Sequence, residues 1–121
     1  MSEYILPLSC ATYLFVGKKP TAVHFGDERF SVKSWRQVFA VILVRCNQQC
    51  HERLMYLRNK VIGRDRALLS DKPDGLRSPI KVDEELYAAS GYGSATMMYI
   101  LRDRLLSPAG FDYFNIRISL Q

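Results

Sequence analysis

The sequence has no long hydrophobic run, and this absence excludes one class of protein. Its longest uninterrupted apolar stretch, Val38–Val44, is closely bracketed by Arg36 and Arg45, whereas a bilayer-spanning helix needs about 20 apolar residues. Near the start of the chain an acidic residue, Glu3, precedes a short apolar stretch, where a secretory signal would have a basic region and a longer run. We therefore expect a cytoplasmic protein without a membrane partner.

Cysteine and histidine are also scarce, which limits disulfide and metal chemistry. Three cysteines are an odd number without framework spacing, so we expect free thiols in a reducing compartment. Cys46 and Cys50 lie one helical turn apart beside His51, and Cys10 or His24 could complete a tetrahedral zinc set. Structural zinc sites usually use tighter Cys-x-x-Cys knuckles, and a small buried apolar role for Cys46 is favoured. No metal site is predicted.

Signatures of catalysis and of cofactor binding are missing as well. Only His24 and His51 could act as a base, and neither stands near a Gly-x-Ser-x-Gly nucleophile motif. The acidic residues within 71–74 and 83–85 fall in segments with the composition of solvated loops, where nothing directs them toward one metal ion. The glycine-rich stretch 91–94 lacks the Gly-x-Gly-x-x-Gly pattern and the Walker lysine. We expect a protein that is not an enzyme and uses no cofactor.

What the chain does have is the composition of an ordinary globular domain. Its 121 residues are 48% apolar and 24% charged, a balance that allows one core to form without disulfides or a bound metal. No repeat, linker or low-complexity segment interrupts the chain. The sequence therefore predicts a single α+β domain over residues 1–121.

Strand signals lie near both ends of the chain. The alternating stretches Thr21–Phe25 and Glu28–Val32 flank a Gly-Asp pair typical of a two-residue hairpin loop. An aromatic and β-branched run, Tyr13–Val16, predicts a strand before the hairpin. Alternating apolar residues over 114–120 predict a last strand that joins the N-terminal sheet. Between the helices, two short strands, at 66–70 and 80–82, are predicted to pair with each other.

About three helices are predicted to pack against this small antiparallel sheet. Ser34 and Gln37 form a capping box, which predicts that the first helix begins at Trp35. That helix is expected to end near Asn47, and its apolar residues cover more than one face. We expect it to form the centre of the core.

Two further helices are indicated by apolar spacing. The pattern over 51–62 predicts a second helix that ends at Gly63. Ser94 is expected to cap a third helix, which Pro108 and Gly110 terminate. The resulting fold class is α+β, with the hairpin, its preceding strand and the C-terminal strand forming one sheet.

The net charge of +5 is concentrated in the middle third of the chain. Residues 45–81 hold nine basic and four acidic residues, and this difference equals the excess of the whole sequence. A localised excess can neutralise phosphates, although an ordinary solvated helix face is the competing interpretation. The residues predicted to contact a nucleic acid or another partner are Arg53, Arg58, Lys60, Arg64, Arg66, Lys72, Arg77, Tyr92 and Ser94.

Three stretches carry a resemblance to other proteins: the hairpin and helix start at 25–35, the basic helix at 53–59, and Tyr92-Gly93-Ser94-Ala95 before the last helix. Over residues 12–120 the chain resembles small uncharacterised accessory proteins, and C-terminal modules of larger ones, carried by mobile elements and phages of anaerobic bacteria. These motifs are structural and include no catalytic signature. The resemblance therefore implies an accessory role and assigns no active residues.

Two functions follow from these features as expectations. The first is a binding module that contacts the phosphate backbone of DNA or RNA through its basic face. The second is a protein-interaction module, such as an inhibitor or accessory subunit, in which the arginines meet an acidic partner or the hairpin presents a strand edge. A homodimer formed through such an edge is a third alternative. Phosphate binding requires the cations on one continuous surface, whereas a protein interface has an apolar centre with charge at its rim.

Overall fold

The computed structural model describes residues 4–60 and 67–121, which form two antiparallel sheets and two long helical segments. The α+β class is confirmed, whereas the prediction of one sheet and about three helices is only partly correct. In chain order the elements are β1 (Tyr4–Pro7), a 3-10 helical turn (Thr12–Phe15), β2 (Pro20–Phe25), β3 (Glu28–Ser31), α1 (Trp35–Leu57), β4 (Leu69–Ser70), β5 (Ile80–Asp83), β6 (Leu86–Ala88), α2 (Ser94–Tyr99), a π-helical stretch (Ile100–Leu106), α3 (Ser107–Ala109) and β7 (Ile116–Leu120). The run from α2 through α3 is continuous and is called the C-terminal helix.

The larger sheet has four strands in the order β1-β7-β2-β3, and all neighbours are antiparallel. The predicted hairpin is confirmed, with Phe25 opposite Glu28 across a loop that contains Gly26. Gly26 has a φ of 61°, a left-handed conformation that glycine adopts without steric cost. The last strand joins this sheet as predicted, and it lies between β1 and β2.

A second sheet has the order β4-β6-β5, and the sequence predicted its two outer strands but not the middle one. The two short strands expected to pair with each other instead pair with the strand between them, Leu69 and Ile80 both lying opposite Ala88. The sequence did not predict this middle strand, because it has only three residues and follows a tight turn. In that turn the Glu85 N–H donates to the Asp83 carboxylate at 2.7 Å.

Helix α1 covers both of the helices expected over 35–47 and from 51 onward, and a kink at Cys50 separates its two parts. Its start is as predicted, with the Gln37 N–H donating to the Ser34 hydroxyl at 3.2 Å and so satisfying one free amide of the first turn. The helix continues through the expected break after Asn47 and bends at Cys50, whose φ of −126° and ψ of 36° are not helical. The predicted stop at Gly63 lies outside the described residues.

The start of the C-terminal helix corrects two further predictions. Gly93, rather than Ser94, is the capping residue, and the Ser94 hydroxyl donates to the Phe15 carbonyl at 3.4 Å. Phe15 belongs to the run expected to be a strand, which forms the 3-10 turn. Its ring is fully buried and packs edge-to-face on Trp35, so tertiary packing overrides the β-propensity of the run. The helix ends at Gly110 as predicted, with a φ of 74°.

Helix α1 lies at the centre of the core, as expected. It contacts β2 of the larger sheet, β5 of the smaller sheet and the C-terminal helix. The first half of α1 contributes buried side chains from Val38, Phe39, Ile42, Leu43 and Cys46. A neighbouring strip of the same helix, formed by Ala40, Val41 and Val44, is only half buried. Within the described residues, no helix has the length and apolar character that crossing a membrane requires.

Candidate functional site

The basic residues predicted as a binding site are divided among several places. Arg64 and Arg66 lie outside the described residues. Arg58 and Lys60 follow the end of α1, where the Arg58 guanidinium donates to the Glu85 carbonyl at 3.1 Å and the Lys60 ammonium lies 4.3 Å from the ring centre of Tyr56. The adjoining Asn59 N–H donates to the Leu69 carbonyl at 2.8 Å, and Lys72 follows two residues after that strand. Arg58, Lys60 and Lys72 therefore surround one end of the smaller sheet.

Carboxylates occupy the same end of the smaller sheet. Asp71 accepts a hydrogen bond from the Asn59 amide at 3.4 Å. Burial of Asp83 opposes its ionisation, but hydrogen bonds and the nearby positive charge of Arg58 hold the pKa of Asp83 below its ordinary value. Glu85 lies in the turn beside it. The local charge is therefore mixed, which weakens the field that these cations offer to a polyanion.

The remaining predicted site residues lie elsewhere. The Arg77 guanidinium is 5.3 Å from the ring centre of Tyr92, beyond the opposite end of β5 and β6, where the Arg77 carbonyl accepts from the Ser90 N–H. The Arg53 side chain lies against Gly110 at the end of the C-terminal helix. The Ser94 hydroxyl donates its hydrogen bond to the Phe15 carbonyl of the 3-10 turn. The structure thus brings together three of the nine predicted residues and separates four others from them.

A polar network crosses from the bend in α1 to β5. The Asn47 amide donates to Asp83 Oδ2 at 2.8 Å, and His51 Nδ1 lies 2.9 Å from Asn47 Oδ1 and 3.5 Å from Asp83 Oδ2. Because an amide oxygen only accepts, Nδ1 carries the proton and donates to it. Burial, reinforced by the neighbouring Cys50 thiol, raises the pKa of Cys46 to about 12, which opposes the thiolate that a metal would need. Among residues 4–60 and 67–121, no cluster of three ligand-type side chains could hold a metal ion.

A groove with an apolar lining opens between the hairpin and the half-buried strip of α1. Its volume is about 480 Å³, and its lining residues are Phe25, Phe30, Ala40, Val41, Val44, Arg45 and Gln48. Phe25 and Phe30 pack edge-to-face with ring centres 5.6 Å apart. Phe30 remains 37% exposed even though its neighbour Val23 on β2 is fully buried. The groove is therefore apolar surface that the fold itself leaves open.

Arg45 is the charged residue among those that line this groove. Arg45 forms a two-bond ion pair with Glu28, at 2.6 and 3.1 Å, and its guanidinium lies 4.7 Å from the ring centre of Phe25. The hydrogen bonds from Arg45 lower the pKa of Glu28, so this carboxylate is ionised at neutral pH. Arg45 thereby covers part of the aromatic surface and carries its own counter-charge.

Strand β3 borders the groove and is an edge of the larger sheet. Within the described residues, β3 pairs with β2 and with no other strand. The Val32 N–H donates to the Thr21 carbonyl at 3.0 Å, and antiparallel pairs alternate in their hydrogen bonding. Arg29 and Ser31 therefore direct their backbone N–H and C=O groups away from β2. Among residues 4–60 and 67–121 these donors and acceptors have no strand partner, and they lie directly beside an apolar groove.

The opposite face of the larger sheet carries a row of basic side chains. His24 lies directly opposite Arg29 on β3 and Arg117 on β7. Because successive side chains of a strand alternate between faces, and the adjacent Val23 is buried on the α1 side, these three residues point away from α1. His24 Nε2 is 2.6 Å from the Ser119 hydroxyl.

Sequence reasoning singled out neither the groove nor this row, although part of the signal was present. The hairpin loop fixes the register that places Arg29 opposite His24, and the alternation of the last strand assigns Arg117 to its polar face. The pairing of β7 with β2 was not specified by any local pattern. Comparisons with protein-family models, with curated proteins and with solved structures gave no match.

Proposed function

We propose that the chain is a protein-interaction module that binds an extended, acidic segment of a partner protein as an additional strand beside β3. The observation that carries this proposal is the outer backbone edge of β3, which has no strand partner in the described part of the chain and lies beside the groove lined by Phe30, Val41 and Val44. An apolar centre with charge at its rim is typical of protein interfaces. Addition of a strand to an open sheet edge is a common mode of peptide recognition.

Backbone geometry supports the mode of binding. The outward N–H and C=O groups of Arg29 and Ser31 match the spacing at which an antiparallel or parallel partner strand presents its own groups. Such bonds supply affinity without requiring a particular sequence, because every residue except proline has both groups. The side chains of the partner then determine which segments bind.

Side-chain alternation supports an alternating partner. Residues of an added strand that point toward α1 would enter the apolar groove beside Phe30, whereas their neighbours would lie on the other face beside Arg29. Lys33 is exposed two residues beyond Ser31 and adds positive charge to the same edge. Cross-strand pairs of opposite charge stabilise a sheet, so acidic residues at alternate positions complement this edge.

The proposal can be tested with designed peptides, measured by fluorescence anisotropy. We expect a labelled peptide with alternating Val and Glu to bind more tightly than an alternating Val and Lys peptide, and more tightly than one with the same Val and Glu residues in two blocks. Phe30→Asp should weaken binding of the first peptide by at least about tenfold, because it places a charge beside the added apolar side chains. Tyr56→Asp is the matched control, since Tyr56 is 70% exposed on α1 outside the groove.

Two outcomes would contradict the proposal. If all three peptides bind with equal affinity, alternation of the side chains does not determine binding. If Phe30→Asp and Tyr56→Asp weaken peptide binding equally, the groove is not the binding surface. Sedimentation velocity of the chain alone provides the second measurement. Suppose that the chain forms a dimer, that Phe30→Asp dissociates it, and that excess peptide does not. The occupant of this edge would then be another copy of the chain rather than a partner protein.

A second candidate is binding of a nucleic-acid phosphate backbone by the cations at the end of α1. It is favoured by one observation: Arg58, Lys60 and Lys72 form no ion pair with a carboxylate in the described part of the chain. Titration with labelled duplex and single-stranded nucleic acid at two salt concentrations tests this function. Binding that weakens steeply with salt, and that is lost in a double variant with Lys60→Gln and Lys72→Gln, would support it. Absence of binding at low salt would exclude it.

A further inference from the structure

We infer that the outer face of the larger sheet holds a binding site for a phosphate group, centred on His24 and flanked by Arg29 and Arg117. These residues lie side by side on β2, β3 and β7 because of the sheet register. The site is on the face opposite the groove, and Arg29 is the residue that it shares with the proposed interaction with a partner strand. It also differs from the cations at the end of α1 that composition singled out.

Strand spacing makes convergence of the three side chains feasible. Neighbouring strands are about 4.8 Å apart, so Arg29 and Arg117 each lie one strand spacing from His24. Arginine has a long, flexible stem that ends in a rigid fork of N–H donors. Both forks can therefore reach one anion seated beside Nδ1 of the imidazole ring.

The row places two positive charges on one face of the sheet, where an anion would meet both. Arg29 and Arg117 lie on the strands on either side of His24, two strand spacings apart. Arg29 and Arg117 are both exposed, and neither forms an ion pair with a carboxylate of the described residues. The other strand residues that alternate onto this face are uncharged: Ile5, Pro7, Ala22, Ser31 and Ser119. A bound anion would supply the missing counter-charge and stabilise the fold.

His24 is held in place for such contact. Its Nε2 atom is 2.6 Å from the hydroxyl of Ser119, which is 1% exposed. This bond fixes the ring and leaves Nδ1 without a partner in the described chain. When Nε2 accepts the hydrogen bond of the serine hydroxyl, Nδ1 carries the ring N–H and can donate it to the anion. The protein thus supplies one positioned imidazole donor between two guanidinium forks.

The charge and donor geometry favour phosphate. Guanidinium forks bind phosphate with two parallel hydrogen bonds, and these charge-assisted bonds are stronger than neutral ones. A phosphate group offers several acceptor oxygens in different directions, so it can meet both forks and the imidazole at once. A single carboxylate offers two oxygens in one plane. The same chemistry could come from a small phosphorylated molecule or from the backbone of a nucleic acid.

The test is a titration of the full chain with sodium phosphate, followed by amide NMR, with sodium chloride at matched ionic strength as the salt control. We expect phosphate alone to shift the amide signals of His24, Arg29 and Arg117. Arg117→Gln should weaken phosphate binding about tenfold, and Arg117→Lys should weaken it less, because it keeps the charge but loses the fork. Lys60→Gln is the matched control, since it removes one charge at the end of α1. It should leave phosphate binding unchanged.

A second arm identifies the source of the phosphate. An oligothymidylate that shifts the same amides and competes with phosphate would assign the site to a nucleic-acid backbone, whereas an effect of phosphate alone would assign it to a small molecule. No shift from either probe would overturn the inference, as would equal losses in Arg117→Gln and Lys60→Gln. Binding of the Val and Glu peptide should be unchanged in Arg117→Gln, so failure of this site is distinguishable from failure of the proposed function.

Discussion

Replacing neighbouring residues of β3 with proline tests the free edge on which the proposed function depends. Proline has no N–H, so its effect in a strand depends on where that group points. The Val32 N–H donates to Thr21 at 3.0 Å, whereas the Ser31 N–H points away from β2. Ser31→Pro and Val32→Pro should therefore differ strongly, although the two positions are adjacent.

The expected magnitudes follow from the lost hydrogen bond. Val32 is only 6% exposed, and Val32→Pro leaves the Thr21 carbonyl beside it without its hydrogen-bond donor. We therefore expect the free energy of unfolding to fall by about 2 to 3 kcal/mol. Ser31→Pro changes an exposed edge position and should alter the free energy of unfolding by less than about 0.5 kcal/mol. With a urea slope of about 1.5 kcal/mol per molar, the urea midpoint of Val32→Pro should be lower by about 1.3 to 2 M.

Urea unfolding of both variants, followed by circular dichroism, provides the measurement. The same variants can be titrated with the Val and Glu peptide, where Ser31→Pro should weaken binding several-fold, because one interstrand bond is worth about 1 kcal/mol. Equal destabilisation by the two prolines would refute the reasoning. It would mean that Ser31 also donates inward, and that β3 is not available to another strand.

Two further predictions concern the stability of the domain. The lowered pKa of Asp83 means that its carboxylate stabilises the fold above the pKa it has when unfolded, and that this contribution is lost as the pH falls through its folded pKa; Asp83→Asn should lower the urea midpoint at neutral pH and flatten its decline in acid. Arg102 donates to two backbone carbonyls of the loop after β1, at 3.1 and 2.6 Å, so Arg102→Met should cost about 2 kcal/mol in thermal or urea unfolding. Arg104→Met is its control: the Arg104 guanidinium is exposed and lies 5.6 Å from the ring centre of Tyr99, so this substitution should cost less than about 0.5 kcal/mol. These expectations would be contradicted if Asp83→Asn left the pH dependence of the urea midpoint unchanged, or if Arg102→Met and Arg104→Met lowered the free energy of unfolding equally.

Local signals in the sequence were sufficient for the hairpin and for the start of α1. The Gly-Asp loop and the Ser34 cap each act within a few residues, so their structures follow from nearby chemistry. The bend at Cys50 shows where such reasoning stops. The polar residues after Asn47 predict a helix end, whereas the Asn47 side chain bonds to Asp83 on a distant strand and α1 resumes after the kink.

The candidate sites needed information that local patterns do not contain. Counting charges along 45–81 identified a basic segment, but the carboxylates of Asp71 and Asp83 come to the same place only after folding. The row on the outer face of the sheet needed the pairing of His24 with Arg117, two positions far apart in the chain. Residue types could be read from the sequence, whereas their juxtaposition depends on how non-local strands pair.

The position of β7 has a consequence for the order in which the domain assembles. In the larger sheet, β1 has β7 as its strand neighbour, and the β2–β3 hairpin also meets β1 only through β7. During synthesis, the hairpin and α1 emerge long before Leu120, and β1 must remain without a strand partner until that residue is available. Contacts of such large sequence separation are slow to form. Completion of this sheet is therefore a late event, which waits for the last strand to insert between segments that left the ribosome first.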